Sequence, residues 1–403
     1  MGVKQASKAE RLKNLKSLIT QINKKEGSNV INFASNEEMA ERLRFDFYPV
    51  KSLALRAAIQ GLPKGKMSLI VGNPDSGKTS FLLETMAYNQ SIDPECICGW
   101  IESESSISEE MLDMFGIDKD RFIYYEIDPN NGAGEKALDY AKAMCEAGVS
   151  ILAINSLKCI VPKKETTDSF EDQNVAISAR LNAKFTRVIA PVISKSGTAL
   201  AITQHKSTDI GSYMGGLSIT GGRAIQYASV LTLDFNKVTI KAGDPYYDRK
   251  DDYMRIRVKC LKNHTTVKQP YTVTDYTIKY GHGTDLEGEY LQAIFDYGIL
   301  HKEGGGYIRE YPIGVEPGDK KNVRVLPSGE KCEWRGMNNF NAYLAENPKY
   351  FEYLKSRIED VDMSDSVQSL PEEEIALLEE ENNKSEDELI EEVDDVLSTN
   401  EGE

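Results

Sequence analysis

The octapeptide Gly72-Asn73-Pro74-Asp75-Ser76-Gly77-Lys78-Thr79 holds the residue types that a polyphosphate needs, at the spacing that would place them. Gly72 and Gly77 let the backbone wrap closely, so that N–H groups and a helix N-terminus face the phosphates. Lys78 can bring a cation between the β- and γ-phosphates, and the Thr79 hydroxyl can ligate Mg²⁺. An apolar run (Met67, Leu69, Ile70, Val71) reads as a strand before the loop, and Ser80–Asn89 reads as a helix after it. Strand, glycine loop, Lys-Thr, helix is the order that a phosphate loop requires, and a chance match in a glycine-rich turn would lack both flanks. Ser80 completes the candidate nucleotide-binding set.

Other polar residues stand where strands end. Cys96–Ile101 reads as a short strand running into Glu102-Ser103-Glu104-Ser105. Carboxylates just past a strand's C-terminal end lie at the ligand edge of a doubly wound sheet, where one could orient and activate an attacking water. Position alone equally allows both to face solvent. Val149–Ser156 is a buried-type strand carrying Asn155 where nucleotide hydrolases usually carry an aspartate for the Mg²⁺ shell. Asparagine keeps the acceptor oxygen and loses the charge. A third strand, Thr198–Thr203, ends in Gln204-His205-Lys206. Arg180, Lys184 and Arg187 share one face of the preceding helix, which could equally be a solvated face. Two long polar segments, Pro162–Asn174 and Ser207–Thr220, leave the same sheet edge as the phosphate loop, and paired long loops there argue for function.

The surrounding elements can be read more coarsely. The 403 residues suffice for one α/β core with appendages, or for two to three domains. Residues 8–23 form an amphipathic helical pattern with Leu12, Leu15, Leu18, Ile19 and Ile22 on one stripe, and Ser7 and Glu10 at capping-box spacing. Ser52–Ile59 is a second helical pattern. Strand patterns resume at Val230–Phe235, Tyr253–Leu261 and Tyr271–Tyr280, with Lys262-Asn263-His264 as a polar linker; Phe340–Leu344 and Tyr350–Ile358 read as helices. The expected division is an N-terminal helix and linker (1–50), an ATPase-type core (51–283), a small C-terminal domain (284–358) and an acidic tail (359–403). That tail has 19 acidic residues and one basic residue, whereas the remaining chain has 47 basic and 45 acidic residues. The net charge of −16 therefore belongs to the tail, and the near-neutral body leaves nucleic-acid binding open. The tail has too few apolar residues for a core of its own and is expected to be disordered. No apolar run approaches ~18 residues and the N-terminus is charged, which points to a soluble, cytoplasmic protein without membrane partners. Six cysteines without C-x-x-C spacing suggest a reducing compartment and no zinc site.

Taken in order, Ser52-Leu53-Ala54-Leu55, Gly72–Thr79, Ile101-Glu102-Ser103-Glu104, Ile154-Asn155-Ser156, Thr203-Gln204-His205, Thr220-Gly221-Gly222-Arg223-Ala224, Tyr227-Ala228-Ser229 and Val258–Asn263 resemble the RecA family of DNA strand-exchange recombinases. Lys163-Lys164-Glu165-Thr166 is similar to its phage-encoded UvsX-like branch, and Asn341–Leu344 with Asn347-Pro348 resembles the family's C-terminal domain. The resemblance covers about residues 50–358. It implies a RecA-type α/β ATPase core, with a mostly parallel central sheet flanked by helices, an N-terminal helix and a small α+β C-terminal domain. It makes Glu104 the residue that positions the attacking water and Gln204 the γ-phosphate sensor. Lys262 would reach across a subunit interface to the neighbour's ATP, with His264 where the family has a second cation. Met111 would pack on adenine, unless it is a plain core methionine. Lys163 and Lys164 fall in the first DNA loop; Lys206, Gly221, Gly222 and Arg223 flank the second; Arg180 and Arg187, with Lys184, lie on the DNA-contacting helix. The implied ligands are ATP and Mg²⁺, the latter through Thr79 and Asn155. The implied partners are single-stranded DNA, a homologous duplex, further copies of the chain in a head-to-tail filament, a single-strand-binding protein and a loader. The competing classes are a hexameric RecA-fold motor of the replicative-helicase type and, given Asn155, a weakly hydrolysing regulatory paralogue.

Overall fold

The computed structural model describes residues 7–127, 133–157, 175–208, 217–219 and 223–379, apart from 243, 245, 267–269, 327, 360, 362–366 and 377. The chain divides into two units, Met1–Asp46 and Phe47–Glu403. The first is built on helix α1 (Lys8–Glu26) and the short α2 (Glu37–Arg42). The Ser7 side chain accepts the Glu10 N–H at 3.2 Å, and α1 ends on Gly27 in the left-handed conformation (φ 69°). No residue of α1 is buried, and Leu12, Leu15 and Leu18 are 39–48 % exposed.

The second unit begins with an antiparallel ribbon, β1 (Phe47–Pro49) and β2 (Gly61–Pro63), around α3 (Leu53–Ile59), which Ser52 caps. There follow β3 (Met67–Gly72), α4 (Lys78–Ile92), β4 (Cys98–Glu102), α5 (Glu109–Phe115), β5 (Phe122–Glu126), α6 (Ala133–Glu146), β6 (Ile151–Asn155) and α7 (Val175–Ser196). Next come β7 (Ala199–Thr208), β8 (Leu217–Ile219), α8 (Arg223–Ala228), β9 (Ser229–Val238), β10 (Tyr253–Asn263), β11 (Thr272–Lys279) and β12 (Gly283–Thr284). The main sheet has the order β12-β11-β10-β9-β3-β7-β6-β4-β5, in which the six strands from β9 to β5 are mutually parallel. This is a RecA-type α/β fold, as the sequence implies.

Strand alternation sends successive residues to opposite faces, so a strand covered on both sides must be apolar throughout. Every residue of β3, β4 and β6 is buried. Ile70, Trp100 and Ala153 join the cluster on one face with Leu82, Leu83 and Met86 of α4. Leu69, Val71, Ile101, Leu152 and Ile154 join the other with Phe185 and Ile189 of α7. Because the strands are parallel, β3, β4, β6 and β7 all release their chain at one edge, where the polar residues collect.

The C-terminal part comprises α9 (Leu286–Asp296), the antiparallel β13 (Leu300–Glu303), β14 (Tyr307–Glu310) and β15 (Glu333–Arg335), α10 (Met337–Glu346) and α11 (Pro348–Glu359). Its own cluster centres on Trp334, whose ring lies 5.0 Å from that of Phe340 and 5.7 Å from that of Tyr350.

Several expectations need correction. The supposed linker residues Lys262 and Asn263 belong to β10, where they pair with Thr232 and Leu231. The segment after Gln204 begins as a hairpin, since β7 runs to Thr208 and β8 pairs with it through Lys206, Ser207 and Thr208. The acidic segment is ordered near its root. Strand β16 (Gln368–Ser369) adds to the edge of β11 opposite Val273 and Thr272, Leu370 is buried, and Glu374 pairs with Lys259 at 2.5 Å. One apolar anchor, a borrowed sheet edge and an ion pair hold a stretch whose composition could not build a core itself.

Candidate nucleotide site at the sheet edge

The turn from β3 into α4 is shaped by its glycines. A Cβ on Gly72 would sit 2.5 Å from Ser76 Oγ and 2.6 Å from the Phe235 carbonyl oxygen. Gly77 has φ 92°, and a Cβ there would lie 2.3 Å from Ile256 Cδ1. Only glycine satisfies both the backbone and the space. Asn73, Pro74 and Asp75 are exposed at the tip, Ser76 and Lys78 are buried, and Thr79 and Ser80 are half-buried on the first turn of α4. Lys78 Nζ donates to the carbonyl oxygens of Gly72 (3.1 Å) and Asn73 (2.8 Å). Burial lowers its pKa, against the opposing pull of Glu104 and Asp75. A cation held by neutral carbonyls, in a place that disfavours its charge, is poised for an anion.

Two buried groups beside it lack partners among the described residues. Ser76 Oγ and both amide atoms of Gln204 make no hydrogen bond there, although Gln204 is only 1 % exposed. Gln204 lies on β7 opposite Val71 of β3, at the mouth of the loop. Buried polar groups are ordinarily paired, so orphans here fit a site that a polar ligand completes.

The carboxylates separate in role. Glu102 is the last residue of β4 and is fully buried, so the solvent-facing alternative fails for it. Its oxygens accept from Trp100 Nε1 (2.9 Å), Ser106 Oγ (3.2 Å), the Glu104 N–H (2.7 Å) and Asn155 Nδ2 (3.2 Å to each oxygen). The chain beyond it crosses the end of β6, where the Ser103 N–H and hydroxyl bond the Asn155 carbonyl oxygen at 2.8 and 3.0 Å. This carries Glu104 towards β7. Glu104 Oε1 accepts from Ser156 Oγ (2.5 Å) and contacts His205 Nε2 (2.8 Å). Burial pushes the Glu104 pKa up, but the Ser156 and His205 hydrogen bonds and the positive charges of His205 and Lys78 outweigh it and leave it below the ordinary carboxylate value. A partly exposed, ionised carboxylate within the field of Lys78 can orient a water; Glu102 braces it from behind.

Asn155 departs from expectation. Its Oδ1 accepts from Thr203 Oγ1 (2.7 Å), and its Nδ2 donates to Glu102 and to Ser106 Oγ (2.9 Å). Both ends of the amide thus have partners within the protein. The residue is asparagine because its neighbour is a buried carboxylate, and an aspartate would set two such groups together. Asn155→Asp is therefore expected to destabilise the fold by about 2–4 kcal/mol at neutral pH, an effect that shrinks as one carboxyl is protonated in acid. Thermal unfolding at pH 5 and pH 8 checks this, and equal stability to the parent at pH 8 would refute it.

Lys206, assigned to DNA by the resemblance, is instead turned inward. Its Nζ lies 2.5 Å from Asp234 Oδ1 and 2.8 Å from Asn236 Oδ1 on β9. Met111 on α5 is half-buried against the cluster beneath the sheet, as a core methionine would be. Lys262 and His264 are not brought to the phosphate loop. Lys262 pairs with Thr232 of β9 while Gly72 pairs with Phe235, and Lys262 Nζ bonds the Gln226 and Tyr227 carbonyl oxygens at 2.9 and 3.2 Å. Both residues thus lie at the opposite end of the sheet, about 10 Å along the strands. Burial and the nearby Lys262 charge lower the His264 pKa, so at neutral pH it is no cation. Arg180, Lys184 and Arg187 are exposed on α7. Lys163, Lys164, Gly221 and Gly222 lie outside the described residues, as does the side chain of Arg223. Sequence reasoning missed His205, Ser156, Trp100 and Asp234. Only Trp100 gave a signal, two residues before Glu102 and so on its strand face.

Comparison with known proteins agrees with this geometry. The RecA N-terminal domain family matches residues 13–285. RecA of Acidothermus cellulolyticus is 28 % identical over 360 residues, 88 % of this chain and 94 % of that protein. RecA of Cutibacterium acnes is 30 % identical over 329 residues, covering 80 % and 89 %, and RecA of Clostridium novyi is 28 % identical over 356 residues, covering 87 % and 92 %. These relatives are bacterial and do not support the phage branch suggested by Lys163–Thr166. The chain belongs to the RecA family, the DNA-dependent ATPases of homologous recombination.

Proposed function

We propose that this chain polymerises head to tail on single-stranded DNA, binds ATP at Gly72–Ser80 with Mg²⁺ on Thr79, and exchanges the bound strand with a homologous duplex. The observation that carries this reading is the glycine-shaped loop with Lys78, Ser76 and Gln204 converging on one space and Glu104 facing it. Lys78 would neutralise the β- and γ-phosphates, Gln204 would pair with the γ-phosphate, and Glu104 would orient the attacking water. When bound, the triphosphate supplies the phosphoryl group that is transferred to water. Lys262, distant from its own chain's loop, would serve the nucleotide of an adjacent copy. Such a heterologous contact repeats without closing and yields a helical filament.

The exposed Arg180, Lys184 and Arg187, with the segments holding Lys163, Lys164 and Gly221–Arg223, would hold DNA through its phosphates. Contacts of that kind ignore sequence, and pairing with the duplex supplies specificity. The acidic end of the chain would compete with DNA for these cations. Ending the chain at Glu379 keeps the docked Gln368–Glu374 root and is expected to tighten duplex binding several-fold at ~0.05 M salt, less at ~0.2 M. A filter-binding titration checks this, and unchanged affinity at matched salt would count against it. No helix among the described residues is long and apolar enough to cross a membrane, which suits a cytoplasmic DNA enzyme. The overall reading is tested by strand exchange with ATP and with a slowly hydrolysed analogue, alongside electron microscopy. Joint molecules and open filaments are expected; closed rings without exchange would favour the hexameric-motor class.

A further inference from the structure

Three cations alternate along β10, and the core supplies carboxylates for two of them. Arg255, Arg257 and Lys259 share one face of the strand. Asp244 meets the first, and Asp275 meets the second through two hydrogen bonds of 2.8 and 2.9 Å. Lys259 is met from the far end of the chain, by Glu374 at 2.5 Å. The segment that brings this carboxylate, Gln368–Glu374, lies along the β11 edge away from β10. Gln368 and Ser369 pair with Val273 and Thr272, the Leu370 N–H donates to the Tyr271 carbonyl oxygen at 3.1 Å, and the Leu370 side chain is buried. Main-chain pairing at a sheet edge, an apolar pit and a charge partner are the means by which a sheet reads an extended peptide.

Two features make the resident segment replaceable. Its hold is slight, because one leucine and one ion pair, with side chains 28 % and 32 % exposed, are set against the ordering of the whole segment. It stays because the chain tethers it beside its site. The segment also underfills the groove. A cleft of about 600 Å³ remains beside Gln368–Pro371, walled by Ala54 and Ala57 of α3, Ala293 and Asp296 of α9 and Val273 of β11, and the Gln368 and Ser369 side chains are exposed. A bulky apolar side chain at either position buries surface that the resident leaves open. We infer that this groove is a docking site for an extended acidic segment of a partner protein. Such a segment has a leucine-sized anchor four residues before a carboxylate, and a bulky apolar group one or two residues before the anchor. Gln368–Glu374 fills the groove by mimicry until that partner arrives.

The test is fluorescence anisotropy of labelled synthetic peptides spanning residues 366–376, titrated with the full chain and with full-chain Leu370→Asp, in which the resident is released. The native-sequence peptide is expected to bind the released chain about tenfold more tightly than the parent, and a peptide carrying Leu370→Asp to bind neither. Lys259→Glu in the released chain should weaken the native peptide about fivefold, and a peptide with Glu374→Lys should recover the loss. A peptide with Gln368→Trp or Ser369→Trp is expected to bind the parent chain about tenfold more tightly than the native peptide, by displacing the resident. If Leu370→Asp does not fold, Glu374→Lys releases the resident in its place, with the same expectation for the native peptide. Equal binding of the native peptide to parent and released chains, or binding to neither, would overturn the proposal. So would tryptophan peptides that bind the parent no better than the native one, since the groove would then serve its own segment alone. A released chain that dimerises in sedimentation without taking up peptide would make a second copy the occupant, and would overturn it as well.

Discussion

Glu104→Gln is expected to slow ATP hydrolysis by about 10²–10⁴-fold while nucleotide affinity stays within a few-fold. The substitution keeps shape and one acceptor oxygen but removes the negative charge that aligns a water. Affinity is spared because Glu104 reaches the site from β4 across the end of β6, whereas the phosphate cradle is made by β3 and α4. Ser156 and His205 can still bond the glutamine oxygen, so the local structure should persist. Single-turnover hydrolysis beside a fluorescent-nucleotide titration measures both quantities. Turnover within about threefold of the parent would show that another group orients the water.

Lys78→Ala should have the opposite signature, because it removes the cation from the phosphates in both ground and transition states. A loss of about 3–4 kcal/mol of charge stabilisation corresponds to about 10²–10³-fold in turnover, with affinity falling as well. The nucleotide-free protein should not suffer. Lys78 is buried, its charge is disfavoured there, and among the described residues its hydrogen bonds go to the Gly72 and Asn73 carbonyl oxygens of the loop itself. Thermal melts with and without an ATP analogue read this directly. The parent should gain about 3 kcal/mol at a hundredfold excess over Kd, and the variant almost nothing. An undiminished shift in the variant would show that the cradle holds nucleotide without its lysine.

The phosphate loop was legible because its chemistry is local. Gly72 and Gly77 are demanded by backbone geometry within a few residues, and the flanking apolar runs announce the strand and helix that present them. Glu102 and Glu104 could not be told apart from position, since the difference lies in neighbours brought by other strands: Asn155 and Ser106 close on one, Ser156 and His205 on the other. The substitution of asparagine at 155 looked like a weakened metal site, and only the pairing of Glu102 with Asn155 across β4 and β6 reveals a buried carboxylate's partner. The ion pair of Lys206 was hidden for the same reason, because Asp234 approaches from β9 and a sequence does not display which charges meet. Composition likewise averaged away the docked root of the tail, where buried Leu370 supplies an apolar anchor and β11 the hydrogen bonds. Local pattern thus revealed the elements and the cradle, while ownership of each polar group depended on long-range register.

The central claim is that this cradle grips a triphosphate where Glu104 and Gln204 can reach its terminal phosphate. Cryo-electron microscopy of the full chain with single-stranded DNA and a slowly hydrolysed ATP analogue tests it most directly. Phosphates are expected against the Gly72–Thr79 N–H groups, with Lys78 Nζ moved from the loop carbonyls onto them and the Gln204 amide newly paired. A nucleotide bound elsewhere, or Lys78 still on the Gly72 and Asn73 carbonyls with Gln204 unpaired, would contradict it.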